Sequence, residues 1–312
     1  MGKSSIDALI VTYKRPEELA RLISSLLAGS VRPRQIVVVD NSPSLEASAV
    51  CREFDWICRY IPTGRNVGVG AGFNIALRSL AERPPEFVCA LDDDCVVSPT
   101  TLQSCAEALA TSKLATFAAP LITDGKGSPS VCPGFVRKKD TRHFKKTLSF
   151  EALKKMSGAP LRWATGVCLF YRYHDALRVG LYREDCWVLG EDVEFTMRIS
   201  HQENGIFVGD EVAHIPPNGT REPAAADRIT YVKFLALITN ISFFAIYLPH
   251  ARREIPSIPK LIGRFVLTAP SISKSSKLWD AARAAWIGAA RAQPAGREIF
   301  ERQFKSRYAP DF

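Results

Sequence analysis

Short apolar runs recur through the first third of the chain, each closing on polar residues and each followed by a segment with helical spacing. "IDALIVTY" and "QIVVVDNS" are rich in β-branched residues, and Pro16 to Leu27 between them is amphipathic. The pattern then repeats, with "ICRYIP" leading to "AGFNIALRSLAE" from Ala71 and on to "EFVCAL". Strand, helix, strand in succession predicts a parallel α/β sheet. Ligands of such sheets bind beyond the carboxyl ends of the strands, which here read "TYKR", "DNS", "TGRN" and "DDD". Thr12, Asp40, Arg65 and the three aspartates at 92 to 94 are therefore expected along one edge. Later, "WVLGEDVEFTMRIS" predicts a helix that starts with Glu191, Asp192 and Glu194, where the macrodipole favours carboxylates. "GIFVGDEVAHIPPNG" reads as a strand ending at His214 and stopped by two prolines.

Composition adds size and location. A chain of 312 residues with 46% hydrophobic content can bury a core of about 200 residues and still carry an appended subdomain. The run "IDALIVTY" is interrupted by "KRPEE", which is not the pattern of a secretory signal, so a cytoplasmic protein is expected. Eight cysteines without a C-x-x-C pair argue against a zinc site and against a disulfide framework. The formal charge is +9, and residues 249–312 hold twelve Lys/Arg against five Asp/Glu, so most of the excess is C-terminal. A second basic run, "RKKDTRHFKK", spans 137–146. Such patches suit phosphate groups on nucleic acid, lipid headgroups or a diphosphate substrate, or serve as solvated faces.

The candidate chemistry centres on "FVCALDDDCVVSP". Adjacent carboxylates repel one another and are poor strand residues, so Asp92, Asp93 and Asp94 need a reason to stand together. A hard cation supplies one, because Mg²⁺ or Mn²⁺ takes oxygen ligands from one or two carboxylates plus substrate phosphates. An acidic turn before the helix of "SPTTLQSCAEALA" is the structural alternative. "GRNVGVGAGFN", residues 64–74, has neither the lysine of a P-loop nor G-x-G-x-x-G spacing, and fits either a plain loop-to-helix turn or a phosphate contact. Taken alone, His214 reads as a structural strand residue. Trp163 and Trp187 are candidates for stacking on a sugar, or core aromatics.

In this order, "IVTYKRP", "VVVDNS", "GRNVGVGAGFN", "LDDDCVV", "GEDVEF" and "AHIPP" resemble the family-2 glycosyltransferases of the GT-A fold, over about two thirds of the chain. "GAGFN" together with "DDD" looks closer to bacterial galactofuranosyltransferases, and the chain also resembles rhamnosyltransferases. The resemblance implies a mostly parallel, mixed sheet flanked by helices over residues 1–220. It implies that Thr12, Tyr13 and Arg15 shape a nucleotide pocket, that Asp40 pairs with the pyrimidine ring, and that Arg65 and Asn66 face ribose or phosphate. Gly72 and Asp93 would join this donor site, Asp92 would approach nucleotide or metal, Asp94 would hold the metal, and His214 would be a further ligand. Asp192 would be the general base, with Glu191 as the neighbouring candidate, and Trp163 and Trp187 would meet the acceptor. The reaction implied is inverting transfer of a sugar, with Mn²⁺ or Mg²⁺, from a UDP-sugar such as UDP-galactofuranose, or from dTDP-rhamnose, in cell-surface glycan synthesis.

Residues 221–312 predict a helical, basic subdomain. "RITYVKFLALITNISFFAIYL" reads as a helix packed on the catalytic domain, because Lys233, Thr239, Asn240 and Ser242 interrupt a membrane span. Basic helices follow that carry Trp279 and Trp286, with Phe265 and Phe300 interleaved. They predict either docking on the inner face of the cell membrane, with a lipid-linked saccharide acceptor, or simple helical packing with a solvated basic face. A nucleic-acid-binding module is the rival from another class, but phosphate would be repelled by the aspartates unless a cation intervened, so no nucleic-acid partner is expected. A nucleotidyltransferase is the nearest rival enzyme, and "GEDVEF" favours sugar transfer over it.

Overall fold

The β-branched runs become strands buried on both faces, because alternate side chains enter different cores. In β1 (Ile6–Thr12), Ile6, Ala8 and Ile10 pack into one apolar cluster and Leu9 into the other. After α1 (Pro16–Leu27), which Pro16 opens, β2 (Gln35–Asp40) divides in the same way, with Ile36 and Val38 on one side and Val37 and Val39 on the other. The described residues of this computed structural model are 4–131, 133–135, 149–186, 189–200, 204–215, 235, 238–240 and 274–290. The basic run at 137–146, Trp187, and most of the C-terminal expectations, including Phe265 and Phe300, lie outside them.

Chain order continues with α2 (Ala47–Glu53), β3 (Cys58–Pro62), α3 (Val69–Ser79), β4 (Phe87–Asp92), β5 (Cys95–Val97), α4 (Thr101–Thr111) and β6 (Phe117–Thr123). The short β7 (Pro129–Val131), β8 (Gly134–Phe135), α5 (Phe150–Lys154), β9 (Pro160–Trp163), β10 (Cys168–Arg172) and α6 (Tyr173–Arg178) come next. They are followed by α7 (Glu191–Ile199), β11 (Gly205–His214) and α8 (Lys274–Ala290). Among the described residues the sheet has 11 strands and runs β3-β2-β1-β4-β10-β6-β11-β9-β8, with β5 on β11 and β7 on β6. β1 through β4 pair parallel, as expected of the repeated strand–helix pattern, whereas β10 enters antiparallel between β4 and β6.

Two of these pairings set the site. β10 aligns Cys168 with Leu91, and Asp92 donates its backbone N–H to Val167 O at 3.2 Å, so the turn before β10 lies beside the acidic strand end. β5 returns directly after the aspartates and pairs with the end of β11, where His214 stands opposite Cys95. Residues some 120 apart in sequence are thereby neighbours by backbone register rather than by side-chain chance.

The chain divides into two compact units, Met1–Arg183 with Asp192–Pro217, and Glu184–Glu191 with Asn218–Phe312. In the second unit, Asn240 Nδ2 donates to Leu189 O, and α8 buries Ala281, Ala284 and Ile287 on one side while Trp286 is 58% exposed. Among the described residues no helix is long and apolar enough to cross a membrane. The described cysteines are free thiols, and Cys89 and Cys168 sit with their sulfurs 3.8 Å apart in the core.

Candidate active site

The aspartates occupy the turn between β4 and β5, and the segment after β1 wraps them. Thr12 Oγ1 donates to Asp93 Oδ2 at 2.8 Å and the Tyr13 N–H reaches the same oxygen at 3.3 Å. Arg15 Nη1 bridges two carboxylates, 2.9 Å from Asp93 Oδ1 and 2.6 Å from Asp94 Oδ2. On the far side, His214 Nε2 lies 3.3 Å from Asp94 Oδ1, and the Ile215 N–H donates to Asp94 O at 2.8 Å.

These contacts split the three carboxyls electrostatically. Burial and repulsion from Asp94, Asp93 and Asp192 push Asp92 up to about 7. Burial raises Asp93 to about 6, against the pull of Arg15 and Thr12. Asp94 goes the other way: burial would raise it, but the hydrogen bond with His214 and the charge of Arg15 together hold it below the ordinary carboxylate range. His214 is raised by the same hydrogen bond, which it donates to Asp94 and which outweighs its desolvation.

A second group forms around Asp40, at the end of β2. Asp40 is fully buried; its Oδ1 accepts the Ser42 N–H and its Oδ2 the Tyr60 hydroxyl, each at 2.8 Å. Burial, and then this hydrogen bond, raise the Tyr60 phenol, which therefore stays protonated as donor. Asn66 Oδ1 accepts the Gly68 N–H at 2.9 Å at the start of α3, while Arg65 is exposed. Gly68 has φ +89°, a conformation that favours glycine. Gly72 has a packing reason of its own, since a Cβ there would stand 2.8 Å from Val11 Cγ1, so α3 can lie this close to β1 only with glycine at that place.

Asp192, in the first turn of α7, has both carboxylate oxygens held by backbone. Oδ2 accepts the Gly166 N–H and Oδ1 the Val193 N–H, each at 2.6 Å. Burial pushes Asp192 up, against these amide hydrogen bonds. Thr196 ties the helix to the same turn, its Oγ1 donating to Asp192 O at 2.7 Å and accepting the Ala164 N–H at 3.1 Å. Glu194 is fully buried and bound twice by Arg198, which also donates to Val179 O and Leu181 O. Glu194 thus anchors the helix rather than facing the acidic turn. Glu191 belongs to the second unit. Trp163 ends β9, half-buried, and its Nε1 makes no hydrogen bond among the described residues.

The structure therefore brings Thr12, Tyr13, Arg15, Asp92, Asp93, Asp94 and His214 together, sets Asp192 near enough to Asp92 to raise its pKa, places Asn66 at the start of α3 and binds Asp40 to Ser42 and Tyr60. The sequence pattern missed Tyr60, Ser42, Gly166 and Thr196. Tyr60 lies on β3, where its alternation with Ile61 was the available signal. Among the described residues, no three His, Cys, Asp or Glu side chains converge as a complete ligand set, so Asp92, Asp94 and His214 are not assembled as a triad. Asp94 and His214 do meet, and an oxygen–imidazole pair completed by diphosphate oxygens suits Mn²⁺ or Mg²⁺.

This sheet, with its polar groups at the carboxyl ends of β1, β2 and β4, is the GT-A glycosyltransferase fold. It superposes with a TM-score of 0.57 on GalNAc-T7 solved with UDP, GalNAc and Mn²⁺, at 14% identity over 99% of this chain and 57% of that one. A mannosyltransferase from Pyrobaculum calidifontis, in complex with GDP-Man and Mn²⁺, gives a TM-score of 0.52 at 18% identity, over 99% of this chain and 82% of that one. The model of the glycosyl transferase family 2 matches residues 7–164, and the chain belongs to that family. It is 26% identical to the N-acetylglucosaminyl-diphospho-decaprenol L-rhamnosyltransferase of Mycobacterium tuberculosis over 74% of this chain and 84% of that protein. To the galactofuranosyltransferase GlfT1 of the same organism it is 31% identical over 112 residues, 33% of this chain and 36% of that protein.

Proposed function

We propose that this family-2 glycosyltransferase transfers a hexose with inversion from a nucleoside diphosphate sugar to a lipid-linked saccharide, using a divalent cation. The observation that carries the reading is the pairing of an acidic, metal-suited turn with a separate, half-buried carboxylate, Asp192, close enough to raise the pKa of Asp92. A bound Mn²⁺ or Mg²⁺ would supply Lewis-acid stabilisation of the charge that develops on the leaving diphosphate, with Asp94 and His214 holding it. Asp40, through its Tyr60 and Ser42 contacts, fixes the base end of the nucleotide pocket. Asp192 takes the proton of the acceptor hydroxyl as the new bond forms, and one base with in-line attack gives inversion. Trp163, half-buried at the end of β9, is the candidate aromatic face for the acceptor sugar.

UDP-galactofuranose is the donor favoured by "GAGFN" together with the aspartate triplet. dTDP-rhamnose is the second reading, supported by the rhamnosyltransferase that aligns with 74% of the chain. Peripheral attachment to the cytoplasmic face of the membrane is supported by the basic excess of residues 249–312 and the exposed Trp286. Thermal shift with UDP-sugars, dTDP-sugars and nucleoside triphosphates in Mn²⁺, alongside flotation with anionic liposomes, tests these readings together. A nucleotide sugar is expected to raise the melting temperature only with Mn²⁺, and the full chain to float at low salt and weaken partly as salt rises. Stabilisation by triphosphates alone would contradict sugar transfer, and failure to float would favour a soluble acceptor.

A further inference from the structure

Arg15 occupies the place where a cation would be wanted. Its Nη1 alone touches both Asp93 and Asp94, while Nε and Nη2 make no hydrogen bond among the described residues. The backbone behind it is fixed: the Lys14 N–H donates to Ser42 Oγ at 2.7 Å, Lys14 sits at φ +56°, and Pro16 opens α1 immediately after. Only the side chain is left to move, and it is 28% exposed at the mouth of the turn. Asp93 is held independently by Thr12 and the Tyr13 amide, so the turn keeps its shape without Arg15. The Asp94 carboxylate, by contrast, rests between the Arg15 and His214 side chains.

We propose that Arg15 is the resident counter-cation of the acidic turn, which gives up Asp94 when a divalent cation binds and turns its guanidinium onto the donor diphosphate. The inference rests on the metal-dependent reading above. Two cations cannot share the small space against one carboxylate without mutual repulsion, so occupancy by Arg15 weakens metal binding in the absence of donor. A diphosphate removes that penalty, since the fork of the guanidinium matches phosphate oxygens and its second edge has no competing partner among the described residues. Metal and nucleotide therefore assist each other through a residue that touches both sites in turn, and the coupling is reciprocal. An arginine that merely braced the turn would leave metal affinity unchanged on removal, or lower it by loosening the aspartates.

The test is an electron paramagnetic resonance titration of the full chain with Mn²⁺, with and without UDP. Arg15→Met is expected to bind Mn²⁺ alone about tenfold more tightly, the scale of one unit charge removed near contact distance in a partly solvated site. UDP should tighten Mn²⁺ binding about tenfold less in the variant than in the wild type, and Arg15→Lys should fall close to the wild type. Unchanged or weaker Mn²⁺ binding in Arg15→Met, or an unaltered effect of UDP, overturns the proposal. If Arg15→Met does not fold, Arg15→Gln, which keeps a hydrogen bond without the charge, is read by the same criteria. A wild-type chain that binds no Mn²⁺ overturns this proposal and the metal reading together, whereas a wild type that binds Mn²⁺ beside an indifferent variant overturns only the role of Arg15.

Discussion

Asp192→Asn is expected to lower sugar transfer about a thousandfold or more while donor binding stays close to wild type, since a positioned base contributes roughly 10²–10⁴. The side chain is nearly isosteric, and one oxygen remains to accept from either Gly166 or Val193, so α7 should keep its place. An amide has no basic lone pair for the acceptor proton. The pH profile gives a second readout of the same residue. Burial raises the Asp192 pKa above its ordinary value, so kcat/KM should fall, as pH is lowered, above the range of a solvated carboxylate. The sign follows from the role: the base works ionised, and protonation removes it. In the variant that acid limb should disappear from the residual rate. Turnover near the wild-type rate would return Asp192 to a helix-start carboxylate and move the base elsewhere, with Glu191 next in line.

Asp94→Ala should abolish the Mn²⁺-dependent stabilisation by UDP. Asp94 is the carboxylate that His214 and Arg15 together hold ionised, and it is the one that meets an imidazole at 3.3 Å. Alanine removes the strongest oxygen donor of the pair and leaves His214 to hold the cation alone, which Mg²⁺ and Mn²⁺ tolerate poorly. The fold should survive, because Asp93 keeps Thr12, Tyr13 and Arg15, and the Ile215 N–H bonds the backbone carbonyl of residue 94 rather than its side chain. Thermal shift with UDP, with Mn²⁺ and with both separates the two effects. Undiminished cooperation between UDP and Mn²⁺ in a folded variant would remove Asp94 from the metal site.

The parallel half of the sheet was legible because its signal is local. Short apolar runs ending in polar residues mark β1 to β4, and Asp40 and the aspartates fall at the edge that this pattern indicates. The strand end at His214 could also be read, from the two prolines that follow it. What it pairs with could not, since β5 is three residues long and carries no periodicity. The antiparallel entry of β10 is another such case: nothing in "CLFYR" says that it inserts between β4 and β6, yet that insertion brings Gly166 to Asp192. "GEDVEF" placed three carboxylates at a helix start, but burial decides among them, and Glu194 is paired with Arg198 to anchor the helix. Gly72 shows the converse case. The glycine cluster fitted either a plain loop-to-helix turn or a phosphate contact, and the structure adds a steric need at Val11 that composition could not express.

On the proposed reading, one edge of this sheet joins a cation-assisted leaving group to a base on the opposite side of the sugar. The most direct test is the anomeric configuration of the product, read by nuclear magnetic resonance after incubation with Mn²⁺, a polyprenyl-diphosphate saccharide and UDP-galactofuranose or dTDP-rhamnose. A single product is expected, with the anomeric configuration opposite to that of the donor, formed with Mn²⁺ and lost when the metal is chelated. A product that retains the donor configuration, or one formed at the same rate in the presence of chelator, would contradict it.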